Sequence, residues 1–439
     1  MAASRRSKRP PHIQQVAANG LLDRRALIST GLLFAGAAST SSVAGAASAA
    51  AEPLANDPWS LTVGAPIPPY STPSRFESKV AHLIAPNNGI GTGQARTPHH
   101  LLDGMITPNG VHFVVARSGA PNIDPDAHRL LIHGLVKQPL IFSLNDLMRY
   151  PTESNTRFVE CGGNSAPMWS KEPLQANVQA LHGLLSCSEW TGIRVSTLLD
   201  EAGVDPRATW AIAEGADGVT MQRSIPLAKL MDDAMIVFYQ NGERIMPWNG
   251  YPMRLLLPGY EGNMNVKWLR RLKLTDAPAM AINESRQYTL LLDSGKAWRF
   301  YYPMEVKSFI TRPSPTMTMP LPGYYEISGI AWSGHGRIAK VEVSADGGKS
   351  WALAALQAPV LPKALTRFRM PWNWGGQPAI VMSRATDEAG NVQPTRQKLI
   401  AERGQPRGTP NVNAFPMNHV NAISSWAIAA NGAVTHVYV

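Results

Sequence analysis

Cysteine is the scarcest chemistry in this chain: 439 residues hold two, Cys161 and Cys187. No Cys-x-x-Cys-His occurs, which excludes a covalently attached c-type haem. A Walker loop is missing, and no Gly-x-Gly-x-x-Gly follows a strand, so a nucleotide cofactor finds no cradle. Long apolar runs are missing too, because Ser, Thr and Gly interrupt the best stretch, Leu27 to Val43, and make it a poor membrane span. Neither internal repeats nor heptads are present. Charge is sparse at 16% of residues, and the net +10 misleads about partners. Six basic residues and one acid lie within residues 1–51, so the remainder carries +5. That mild balance suits an anionic cofactor or an acidic partner and makes no case for nucleic acid.

What is present begins with a leader. Asp23-Arg24-Arg25 ends a basic segment, a weakly apolar run follows, and small residues with several Ala-x-Ala options continue to Ala51. Paired arginines before a mild apolar run fit a twin-arginine export signal over 1–51, hence a periplasmic destination without a membrane anchor. Residues 52–98 read as an extended, Pro-rich arm. From 99 to about 298 the pattern is mixed. Arg129–Gly134 reads as a strand, and Ser143 with Asp146 begins a helix by the capping-box pattern. Ser196–Ala202 is helical with Gly203 as its cap, and Ser224-Ile225-Pro226 opens another helix. Asn241-Gly242 marks a hairpin. After Lys307, short strands with turns at Asp346-Gly347-Gly348 and Asp387 to Asn391 predict an antiparallel sandwich over 299–404, with a polar tail at 405–439. The fold class is therefore α+β, a mixed domain followed by an immunoglobulin-like β-sandwich. At this length two or three domains with full cores are available.

The first cysteine ends an apolar stretch, Phe158-Val159-Glu160, and enters a small-residue loop, Gly162-Gly163-Asn164-Ser165. Two cysteines in an exported protein ordinarily pair as a disulfide. A thiolate on a glycine loop instead can approach a metal-bound cofactor without steric interference. Four further patterns bear on the choice: the glycine-flanked Asp217, Trp248-Asn249 to Arg254, the loop Pro258 to Asn265, and the cationic run Val266 to Lys273. Singly they read as a turn, an ion pair, another turn and a solvated face. Together they suit a large, phosphate-bearing cofactor ligated by one sulfur.

At these residues the chain resembles the sulfite oxidase family of molybdopterin enzymes, most closely its periplasmic sulfane-oxidising branch. Pro258 through Leu272, Ser186 through Gly192, Gly323 through Gly334, and Ala358 through Trp374 carry the likeness. The resemblance implies a molybdopterin domain at 99–298 and an immunoglobulin-like dimerisation domain at 299–404. It implies one molybdenum per chain, with Cys161 as metal ligand and hence unbridged. Asp217, Asn249, Arg254, Asn265, Val266 and Lys267 become cofactor-binding positions, and Tyr288 and Arg117 become catalytic ones. Asn249 stands where sulfite oxidases proper have histidine. The upstream stretch Phe113 to Pro121 offers Arg117 alone, where many members have an arginine and a histidine, and His112 reads as a packed or surface imidazole. The implied reaction is oxygen-atom transfer to sulfane sulfur on a carrier-protein cysteine. Electrons pass to a separate monohaem or dihaem cytochrome c, and the enzyme core is a homodimer. The alternatives are a dehydrogenase of free sulfite and, in another class, a non-catalytic structural or electron-relay subunit.

Overall fold

The computed structural model describes residues 15–22, 62–85, 91–291, 296–298, 302–403 and 419–439. The apolar part of the leader and its cleavage options lie outside these residues. No helix among the described residues is long and apolar enough to cross a membrane.

Two five-stranded sheets build the first domain. One orders Gln222–Pro226, Trp210–Gly215, Leu269–Thr275, Arg129–Gly134 and Leu140–Ser143, with a parallel pairing only between Leu269–Thr275 and Arg129–Gly134. The other joins Glu153–Glu160, Leu185–Arg194, Met235–Gln240 and Glu243–Arg244, and Arg254–Leu256 adds to the third of these. Local signals held where the chemistry was local. Ser143 and Asp146 form a reciprocal capping box on Leu144–Leu147. Gly203 caps Val195–Ala202 at φ +67°. Asn241 and Gly242, both at positive φ, turn the hairpin between Met235–Gln240 and Glu243–Arg244. Pro226 is the residue before Leu227–Asp232 rather than inside it, because Ser224 and Ile225 belong to a strand.

The second domain is a sandwich of a six-stranded and a five-stranded sheet. Trp332, Trp372, Trp374, Trp426, Phe309 and Phe368 fill its interior. The tail expected from 405 is not separate: Ser425–Ile428 pairs with Ala379–Asp387, and Val434–Val437 closes that sheet. The arm is only partly extended, since Leu83–Ala85 and Gly93–Arg96 form a small sheet with Val114–Ala116.

The core does not stop at the domain boundary. Phe158, Leu185 and Cys187 of the first domain pack in one apolar cluster with Met304, Val306, Phe309 and Trp332. The strand that delivers the Cys161 loop is thereby seated on the sandwich.

Candidate active site

Cys161 follows the last residue of Glu153–Glu160, and its amide N–H donates to Leu184 O (3.0 Å). Its carbonyl accepts from Asn164 N–H at 2.8 Å, closing a tight turn, and Ser165 takes φ +66° to leave it. The loop is held from behind by Glu160, which is fully buried. Lys307 donates to that carboxylate at 3.0 Å, Asn164 at 2.9 Å and the Trp332 indole at 2.6 Å, while His419 lies 3.4 Å away. Burial would raise the carboxyl, but Lys307 and His419 outweigh it and hold it at about 2. Three of these four partners come from residues beyond 300.

The loop Pro258 to Asn265 presses on the other side. A Cβ on Gly162 would lie 1.7 Å from Glu261 Oε1, and one on Gly262 would lie 2.7 Å from Glu160 O. Only glycines allow the two loops to meet. The Asn265 side chain shapes the second loop: its Oδ1 accepts from Leu257 N–H (2.7 Å), and its Nδ2 donates to Glu261 O (3.0 Å). Its amide is thus committed to the loop backbone.

Both cysteines are free, and both are buried. Cys187 sits opposite Phe158 in the strand ladder, and burial pushes its thiol up to about 12, so it is a packing residue. Burial likewise pushes Cys161 up to about 11, opposed by Arg117 and Arg96. A thiol in that setting becomes a thiolate when a metal replaces its proton.

All nine predicted site residues, Arg117, Cys161, Asp217, Asn249, Arg254, Asn265, Val266, Lys267 and Tyr288, line one cleft of about 780 Å³. Arg117 Nη2 donates to the Tyr288 hydroxyl at 3.2 Å. Burial raises that phenol to about 12, so it remains a proton donor. Arg254 is buried, and its guanidinium donates to Asn249 O (2.8 Å) and Asn265 O (3.0 Å). Burial lowers it only to about 9, which leaves it cationic at neutral pH with no carboxylate paired to it among the described residues. Burial, then Arg254, pushes Lys267 down to about 7, and its ammonium donates to Trp248 O at 2.9 Å. Asp217 Oδ1 accepts from Met221 N–H (2.9 Å), leaving Oδ2 for another donor.

Two site residues escaped the sequence reading, and a third was only weighed there as a substitute for the family's upstream histidine. His112, expected to be packed or on the surface, lines the cleft and is held neutral, with burial pushing it down to about 3. Glu261 abuts the cysteine loop, and burial pushes it up to about 7. Glu284 is fully buried, accepts from Ser224 Oγ (2.9 Å) and Ala281 N–H (3.0 Å), and so fixes the turn that places Tyr288. Arg223, ion-paired to Glu284 at 3.5 Å, covers the Tyr288 ring. A capping-type glutamate two residues after Ala-Ile was the one signal available for Glu284.

The cleft has the chemistry of an anion-bearing cofactor site. Two buried nitrogens lining it, Nε2 of His112 and Nε of Arg254, have no hydrogen-bond partner among the described residues. No cluster of three or more His, Cys, Asp and Glu able to hold a metal occurs among the described residues. A metal held by Cys161 would be completed by ligands that a bound cofactor brings. These features fit a molybdopterin: Cys161 for the metal, Arg254 and Lys267 for its phosphate, and Asp217 for ring N–H groups.

Comparison with known proteins agrees. Residues 117–282 match the oxidoreductase molybdopterin binding domain, and residues 296–405 match the Mo-co oxidoreductase dimerisation domain. The chain belongs to the sulfite oxidase family of molybdopterin oxidoreductases. Among solved structures it resembles the sulfane dehydrogenase SoxCD from Paracoccus pantotrophus, at 40% identity and TM-score 0.83, over 87% of this chain and 97% of that one. It is 31% identical to Homo sapiens mitochondrial sulfite oxidase over 329 residues, which cover 68% of this chain and 59% of that protein. Barley (Hordeum vulgare) nitrate reductase [NAD(P)H] is 28% identical over 68% of this chain and 38% of its own. The chain thus spans well under two thirds of the human and barley relatives.

Proposed function

We propose that this protein is a periplasmic molybdenum oxidoreductase that oxidises sulfane sulfur carried on a cysteine of a carrier protein. Electrons leave to a separate cytochrome c subunit, since the chain has no haem-attachment motif. Residues 1–51 are its twin-arginine leader, and the C-terminal sandwich is its dimerisation surface. The observation that carries this reading is the cleft itself, where a single free Cys161 shares a wall with the Arg117–Tyr288 pair. The likeness to the sulfane dehydrogenase over nearly its whole length supports the substrate class.

The bound cofactor would supply two-electron redox chemistry that adds a water-derived oxygen atom to sulfur. The protein's part is positional and electrostatic. Arg117 offers positive charge to an anionic sulfur group and orients the Tyr288 hydroxyl, which donates a hydrogen bond where negative charge gathers. Arg254 and Lys267 neutralise the cofactor's phosphate out of water. The glycine pair Gly162 and Gly262 brings backbone, rather than side chains, to the metal ligand.

Free sulfite is the second reading, favoured by the identity to the sulfite oxidases. Exported protein, wild type beside Cys161→Ser, is assayed for molybdenum and for cytochrome c reduction with each substrate. Near-stoichiometric molybdenum with turnover of carrier-bound sulfane supports the proposal. Turnover of free sulfite alone replaces it, and folded wild-type protein without molybdenum returns the non-catalytic alternative.

A further inference from the structure

One edge of the sandwich carries a contact that the redox site does not use. Strand Thr366–Trp374 pairs along its length with Gly323–Trp332. Its other side is covered by Ala355–Leu356 and Gln357 from Arg367 to Arg369, and beyond Pro371, which has no N–H, the outward-facing backbone N–H is that of Asn373. The chain's own N-terminal segment covers that edge at Trp372 and Asn373. Gln15–Ala17 and Leu21–Leu22 form a hairpin, and Leu21 pairs with Trp372.

The fit is specific. Asn373 N–H donates to Gly20 O at 2.9 Å, and the Trp372 indole donates to Asn19 O at 2.5 Å. The Asn19 amide donates to Ala345 O at 2.8 Å, and Ala18 N–H to Ser350 Oγ at 3.1 Å. Leu21 is fully buried in the same apolar cluster as Trp372. Gly20 has φ +88°, and a Cβ there would lie 2.0 Å from Asn373 O, so no other residue fits. These residues end immediately before Asp23-Arg24-Arg25 and fall inside the proposed leader.

We propose that residues 15–22 are a removable edge hairpin, which covers the sheet edge at Trp372 and Asn373 while the leader is attached and opens a peptide-accepting slot when the leader goes. Removal leaves the Trp372 and Asn373 N–H groups and Ala345 O without these partners and empties the Leu21 seat. An exposed edge with an adjoining apolar pocket accepts an extended peptide by strand addition. The first ligand of the slot is the leader sequence itself. The inference takes from the functional reading only that the leader is cut away, and molybdenum content plays no part in its test.

Hydrogen exchange on the full chain, leader retained, reads the closed state. Leu21→Asp and Gly20→Val are expected to raise exchange of the Asn373 amide roughly tenfold or more, with the opposite sheet unchanged. Exported protein is then titrated with a synthetic peptide of residues 13–23. Saturable binding that perturbs tryptophan fluorescence and restores protection of the Asn373 amide is expected, and the Gly20→Val peptide should not bind. Equal exchange in wild type and both variants, no peptide binding, or an exported protein whose N-terminus still includes residues 15–22 overturns the proposal.

Discussion

Each residue of the cleft was chosen for what it does in low dielectric. Cys161 was legible because a cysteine entering a glycine loop is rare and its meaning is local. Cys161→Ser is expected to lower molybdenum retention and turnover at least about 100-fold, with the far-ultraviolet spectrum unchanged. Arg254 was legible only as a cation. Its isolation from carboxylates is a property of the fold, and it is the reason a bound phosphate should matter. Arg254→Leu should weaken cofactor retention on dialysis by about 10- to 100-fold while the apoprotein melts no lower than wild type, because a buried charge has been removed. Gly162→Ala tests the opposed loops. Its new Cβ meets Glu261, which is fully buried, and overpacking there should cost about 2 kcal/mol in denaturant unfolding. Glu160 and Glu261 could not be read in advance and Glu284 only through its capping pattern, because the partners that define the first and third, Lys307 and Ser224, stand 147 and 60 positions away.

Among the elements, those set by short-range chemistry were readable and those set by distant pairing were not. The capping box at Ser143, the Gly203 cap and the Asn241-Gly242 turn each depend on side chains within a few residues. The strands Ser425–Ile428 and Val434–Val437 are defined by partners in Ala379–Asp387 and in each other, so the tail carried little sign of them. The helix Ile282–Gln287 shows what an element of one or two turns can do for a site. Glu284 ties it to the strand Gln222–Pro226, and Tyr288 follows as its C-terminal residue. Glu284→Gln keeps the shape but weakens the ties to Ser224 and Arg223. It should lower kcat several-fold with little change in KM, because Tyr288 is misplaced while substrate attraction through Arg117 persists. A change confined to KM would put Tyr288 outside the chemical step.

At the scale of the whole molecule, the division into a mixed domain and a sandwich was visible as a change of texture near residue 300. The ionic bond between them was not. Lys307 and His419 reach Glu160 across that boundary, and Glu305 and Arg403, both on its C-terminal side, back His419. Glu305 would be raised by burial, but His419 and Arg403 hold it at about 2 against an ordinary 4.5. Its stabilising effect is therefore full above pH 4.5 and is lost as pH falls toward 2. His419, which burial would lower, is raised above 6.5 by Glu160 and Glu305, so its contribution is full below pH 6.5 and fades as pH climbs through the raised value. Melting temperature should peak between those limits, and His419→Gln should flatten the alkaline side. Lys307→Met, which strips Glu160 of its closest cation, should cost about 3–5 kcal/mol. The same cluster limits what descent can do with this gene. Glu160 is neutralised from the far half of the chain, so a recombination breakpoint near 300 that brings in a foreign second half strands a buried carboxylate next to Cys161. The halves are heritable only as a pair, and Glu160 and Lys307 should change together or not at all.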